Sequence, residues 1–106
     1  MTVQGRTERR SHKRYYFREE VLLEGTHAGT SADISQRGIF VFSLEPYDED
    51  IVIDIVIPFQ EEKLTVRGKV RHCVPGIGMG FIFVDLTDEQ RAKIKELVAA
   101  IAKQSS

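Results

Sequence analysis

Residues 64–71 read Leu-Thr-Val-Arg-Gly-Lys-Val-Arg, which puts Leu64, Val66, Gly68 and Val70 on one side of an extended chain and Thr65, Arg67, Lys69 and Arg71 on the other. A sustained period of two is the pattern of a strand with one buried and one wet face. The preceding segment repeats it. Ile51, Ile53, Ile55 and Ile57 alternate with Val52, Asp54 and Val56, and Pro58 is expected to end that strand. Gln60-Glu61-Glu62 form the turn between the two.

The same reading extends over most of the chain. Tyr15, Phe17, Val21 and Leu23 share one face of a first strand that Glu19 interrupts. Gly25-Thr26-His27 and Gly29 mark a turn into a short strand near residues 30–34. Ile39-Phe40-Val41-Phe42 is β-branched and aromatic, as strands prefer. Residues 46–50 form a polar loop, and Pro75-Gly76 turns into a last strand over residues 79–84. Glycines 76, 78 and 80 are not followed by the helix that a phosphate-binding fingerprint needs. They are read as a turn with room for close backbone approach at a barrel corner. A helix closes the chain: Thr87 and Gln90 fit a capping box, Asp88 and Glu89 suit the helix N-terminus, and Ile94, Leu97, Val98 and Ile101 form one apolar stripe. The expected class is mainly β, a six-stranded antiparallel β-barrel with a C-terminal α-helix. Closure removes the exposed sheet edges.

A chain of 106 residues holds one domain. Expected boundaries are a loose N-terminal arm over 1–8, the domain over 9–102 and a loose end over 103–106. No apolar run approaches the roughly 20 residues that span a bilayer. No apolar segment follows the basic N-terminus, so no secretory leader is expected. The single Cys73 has no partner for an internal disulfide, and a cytoplasmic location is expected. Cys73 itself reads as an ordinary strand residue.

The net charge of −1 hides an asymmetry. Residues 1–18 carry six Lys/Arg and one Glu, a net +5; the remainder carries nine basic and fifteen acidic residues, a net −6. A basic arm on an acidic body favours a local anion site over a broad nucleic-acid surface.

Two polar clusters flank the first strand region. One is Arg9-Arg10-Ser11-His12-Lys13-Arg14, the other Asp33-Ile34-Ser35-Gln36-Arg37-Gly38. Arginine offers a planar donor fork for phosphate oxygens and for the O6/N7 edge of guanine, and it stacks on bases. A carboxylate at Asp33 can accept from guanine N1–H and the exocyclic amine, which adenine does not present in that arrangement. Ser35 can donate to phosphate or accept from a base, Arg37 can add a cation, and Gly38 allows positive φ and close backbone approach. Helical spacing would place Arg10 and Arg14 on one face, but the strand that begins at Tyr15 favours an extended or turning arm. No residue pattern supplies a nucleophile, a paired acid and base or a metal cluster, so neither enzymatic activity nor a metal or other cofactor is expected.

Each cluster alone is a weak signal. In this order, separated by one strand and followed by an apolar strand, Arg-x-x-x-Arg and Asp-x-Ser-x-x-Gly resemble the two motifs of the PilZ domain, the bacterial receptor module for cyclic di-GMP (c-di-GMP). Gly78-Met79-Gly80-Phe81-Ile82-Phe83-Val84, leading to Asp88-Glu89, resembles the end of that domain. The resemblance spans about residues 9–102. It implies a six-stranded barrel in which Arg10 and Arg14 wrap the ligand while Asp33, Ser35 and Gly38 meet it on the barrel surface. Arg9, directly before the first motif, implies an intercalated ligand dimer. His12 and Arg37 are additional candidates. The expected protein is a monomer or weak homodimer that passes its signal to a protein partner, with no nucleic-acid or membrane partner. The alternatives are a small barrel that binds single-stranded nucleic acid through the arm, with Tyr15, Tyr16 and Phe17 as stacking platforms, and an adaptor of the same fold that has lost ligand binding. A dinucleotide hydrolase ranks last.

Overall fold

The computed structural model of the chain describes residues 13–104. Arg9, Arg10 and His12 therefore lie outside the described residues. The strands are β1 (Tyr15–Tyr16), β2 (Glu20–Leu23), β3 (His27–Ile34), β4 (Gly38–Phe42), β5 (Val52–Phe59), β6 (Glu62–Val74) and β7 (Gly78–Val84), followed by helix α1 (Asp88–Gln104). All pairings are antiparallel. Strands β3, β2, β5, β6, β7 and β4 pair in that order, and β4 pairs back onto β3, closing a six-stranded barrel. The two-residue β1 pairs with the far end of β3, beyond the stretch that β2 occupies.

The barrel interior follows the alternation. Val21, Leu23, Ile34, Ile39, Val41, Ile53, Ile55, Ile57, Val66, Val70, Met79 and Phe81 are all buried in one core. Ile94, Leu97, Val98 and Ile101 of α1 complete it, together with Phe17 and Phe59. The expected capping box forms: Gln90 N donates to Thr87 Oγ1 at 3.0 Å, and Thr87 N donates to Gln90 Oε1 at 2.8 Å. Gln90 Nε2 also donates to the Thr65 carbonyl at 2.8 Å, tying the helix start to β6.

Three features differ from the sequence expectations. First, β5 runs through Pro58 to Phe59. Glu24 N donates to the Asp54 carbonyl at 2.8 Å, so the backbone groups of residue 54, and by alternation those of 56 and 58, face β2. The last register pair between β2 and β5 is Leu22 with Val56. Beyond it the strands part, so the missing N–H of Pro58 falls where no ladder partner stands. Second, β3 begins at His27, three residues before the expected start.

Third, the expected first strand is two pieces, β1 and β2, interrupted at residues 17–19. Ser31 fills the gap. Its fully buried hydroxyl donates to the Phe17 carbonyl at 2.5 Å and accepts from Glu19 N at 2.9 Å. Ser31→Ala should leave both backbone groups without that partner in a dry site, costing about 1–3 kcal/mol of stability. Chemical denaturation checks it; a midpoint equal to wild type would show that water replaces the hydroxyl.

Candidate functional site

The position of the second cluster depends on a β-bulge. The register of β3 on β4 pairs Ser31 with Val41 and then Asp33 with Phe40, so Ala32 is the extra residue. Before the bulge Gly29 and Ser31 point into the barrel; after it Ile34 does, and Asp33 faces outward. Unbroken alternation would have sent the Asp33 carboxylate into the core. A bulge that re-aims one side chain is a common device at sites. A second one at Arg71 re-phases β6 in the same way, leaving His72 exposed and Cys73 packed against the core.

Ser35 then starts a tight turn. Its amide donates to the Gly38 carbonyl at 2.9 Å, and its Oγ accepts from Arg37 N at 3.0 Å and from Gly38 N at 3.3 Å. These bonds use a hydroxyl to organise backbone amides, as Ser does in such turns. Ser35 is almost completely buried, so it shapes the turn from within.

Gly38 differs from expectation in its reason. Its φ lies outside the positive region, where only Gly25 and Gly76 are found among the described glycines. What requires glycine is space. A Cβ at position 38 would lie 2.0 Å from the carbonyl oxygen of Phe81 on the neighbouring strand. The close approach anticipated for this residue exists, but it is between β4 and β7.

Arg14 joins the two clusters. Its register position, one step before the Tyr15–Ile34 pair, brings it beside Ser35. Arg14 Nε donates to Asp33 Oδ1 at 2.6 Å, Nη2 lies 2.6 Å from the same oxygen, and Nη1 reaches Ser35 Oγ at 3.5 Å. Both short contacts converge on Oδ1, so Oδ2 keeps no partner among the described residues. The pair is roughly half exposed. Arg37 lies elsewhere. It lines a hollow of about 310 Å³ with Gln36, Ile82, Phe83, Leu86 and Arg91, and Phe83 N donates to its carbonyl at 2.8 Å. Arg14, Asp33 and Ser35 thus form one constellation, Gly38 supports it from behind, and Arg37 occupies the adjoining surface.

The motif pair, the barrel and the terminal helix agree with a family model. The model for the PilZ domain matches residues 8–100. The chain belongs to the PilZ domain family. PilZ domains are c-di-GMP-binding receptor modules, a family of ligand-binding rather than catalytic domains. The match includes Arg9, Arg10 and His12 as well as the described residues. No curated protein matches the chain. Among the described residues of this PilZ domain, no helix is long and apolar enough to cross a membrane.

Proposed function

We propose that this PilZ domain is a c-di-GMP receptor that takes the dinucleotide between the arm, with Arg9, Arg10 and Arg14, and the surface of the turn from Asp33 to Gly38. The observation that carries this reading is the Arg14 guanidinium held on Asp33 and Ser35, residues 19 and 21 positions away along the chain. Oδ2, without a partner among the described residues, and shared Oδ1 together offer the two acceptors that the N1–H and exocyclic amine of guanine need. As the base engages Asp33, Arg14 turns its donor fork to a phosphate or to guanine O6/N7. Giving up the existing ion pair is cheap, because a half-exposed pair contributes only about 0–1 kcal/mol.

Arg9 adds a third cation and supports an intercalated ligand dimer, two molecules per chain. Ligand phosphates neutralise the arginines and order the arm across the turn, and this ordered surface is what a protein partner reads. Isothermal titration with c-di-GMP, cyclic di-AMP and a short single-stranded oligonucleotide tests the reading. c-di-GMP should bind and the oligonucleotide should not; the reverse preference would favour a nucleic-acid role. Backbone NMR relaxation over residues 6–14 in free and saturated protein tests the ordering, which unchanged relaxation would rule out.

Guanine selectivity should reside in Asp33. Asp33→Ala is expected to weaken c-di-GMP on the scale of a charged hydrogen bond, about 1.5–3 kcal/mol, while leaving residual cyclic di-AMP binding nearly unchanged. Parallel losses for both ligands would instead assign Asp33 to holding Arg14 or the turn.

A further inference from the structure

The two bulges bring a continuous row of residues to the outer surface. Read across the sheet by register, it runs Tyr16, Asp33, Phe40, Gly80 and His72. Residues directly opposite one another on neighbouring strands project to the same side. Asp33 therefore has an aromatic side chain on each flank, Tyr16 on β1 and Phe40 on β4. Tyr16 is 70% exposed and has no role in the core. Phe40 is half buried, yet it too stands outside the barrel, between the inward-facing Ile39 and Val41.

The way Phe40 sits is set by β7. Its ring lies towards β7, over two glycines. A Cβ at Gly80 would be 3.7 Å from Phe40 Cδ2, and one at Gly78 would be 2.9 Å from Phe40 Cε1. Phe42, the next outward residue of β4, meets Phe40 edge to face with ring centroids 5.7 Å apart, which holds the ring from its other end. Phe40 is thereby drawn away from Asp33.

The spacing of the two positions admits a purine once the Phe40 ring turns back from β7 towards Asp33. Tyr16 and Phe40 are anchored two strands apart, roughly 10 Å at the usual strand spacing. A flat base in contact with a ring on each side needs about 7–8 Å between the rings, at 3.5–4.0 Å per contact. The base edge would then point down at Asp33, the orientation in which its N1–H and exocyclic amine reach Oδ1 and Oδ2. An aliphatic or small polar pair at these positions would present the same carboxylate without walls.

We infer that Tyr16 and Phe40 are the two walls of a slot over Asp33 that stacks a guanine base of the ligand. The inference rests on the proposed c-di-GMP function and assigns it two further contact residues. Asp33 discriminates between bases by hydrogen bonding, and the slot contributes affinity through the faces of the ring. The two roles are separable, because stacking is tolerant of base identity and the carboxylate is not.

The test uses the full chain and c-di-GMP. Tyr16→Leu and Phe40→Leu should each weaken binding on the order of tenfold, the usual scale for losing one base–aromatic stack. Tyr16→Phe and Phe40→Tyr should restore it. Both positions lie outside the core, so the melting temperature of each free variant should stay close to wild type. In NMR spectra of the wild-type complex, a guanine H8 resonance should move upfield by ring current, and the shift should shrink in each leucine variant. Leucine variants that bind like wild type, or an H8 resonance without the shift, would overturn the slot and leave the receptor reading intact. Absence of c-di-GMP binding by the wild-type protein would overturn the receptor reading, and the slot with it.

Discussion

Arg10→Ala combined with Arg14→Ala should abolish c-di-GMP binding while the fold persists. Arg14→Ala alone removes a charge-assisted contact of about 1.5–3 kcal/mol, a loss of roughly 10- to 150-fold in affinity. The free protein loses much less. The Arg14–Asp33 pair is 47% and 39% exposed on its two side chains, and pairs of that kind contribute about 0–1 kcal/mol. Affinity and stability should therefore separate: titration shows a large loss and thermal unfolding a small one. Wild-type binding in the double variant would sink the assignment of the arm and turn as the ligand site. A large fall in melting temperature for Arg14→Ala would mean that the guanidinium holds the turn together, and its loss of affinity would then be indirect.

Gly38→Ala is expected to behave in the opposite way and to damage the fold first. The added methyl would meet the Phe81 carbonyl oxygen at 2.0 Å, with the Phe81 carbonyl carbon and Ile82 Cα at 3.1 and 3.2 Å. All three are backbone atoms, so no rotamer change relieves the clash; β4 and β7 must separate where the barrel closes. Overpacking commonly costs about 1–3 kcal/mol, and a backbone clash at barrel closure belongs at or above the top of that range. For a domain of this size that corresponds to a melting temperature roughly 10–25 °C lower. Gly80→Ala is the natural control, because its methyl would make only ordinary contacts at 3.7 and 3.9 Å. Thermal unfolding of the two variants decides the matter. A Gly38→Ala protein as stable as wild type would show that the closure is softer than the packing implies. The wider consequence concerns the Asp-x-Ser-x-x-Gly motif. Its last residue supports the proposed ligand surface through strand packing, so loss of binding in a Gly38 variant is no evidence of ligand contact.

Much of this architecture could be read before any coordinates, and the reason is periodicity. Alternation in β5 and β6, the helical stripe from Ile94 to Ile101 and the Thr87–Gln90 capping box are local patterns, each with its own physical cause within a few residues. The barrel class follows from them, because the strands each have one apolar face to bury and exposed edges to remove. The chemical character of the clusters was equally legible: Arg14, Asp33 and Ser35 supply a donor fork, a carboxylate and a hydroxyl wherever they lie.

What the chain order did not reveal is which way those groups face. The bulge at Ala32 is set by how β3 meets β4, a pairing between segments joined only through the turn at residues 35–37, and no residue type at Ala32 announces it. Counting by twos through β3 would have put Asp33 in the core and Ile34 in water. The same holds for the break filled by Ser31, which reads as one more small strand residue until Phe17 and Glu19 are placed against it. Pro58 and Gly38 carry the lesson in reverse. Their types are informative, but Pro58 is tolerated because β2 has already parted from β5, and Gly38 is required because Phe81 stands across from it. Sequence by itself determined the fold class, the inward residues of β5 and α1 and the chemistry of the two clusters. Only the tertiary structure decided register, and register brought Arg14 onto Asp33 and set Tyr16 and Phe40 on either side of it.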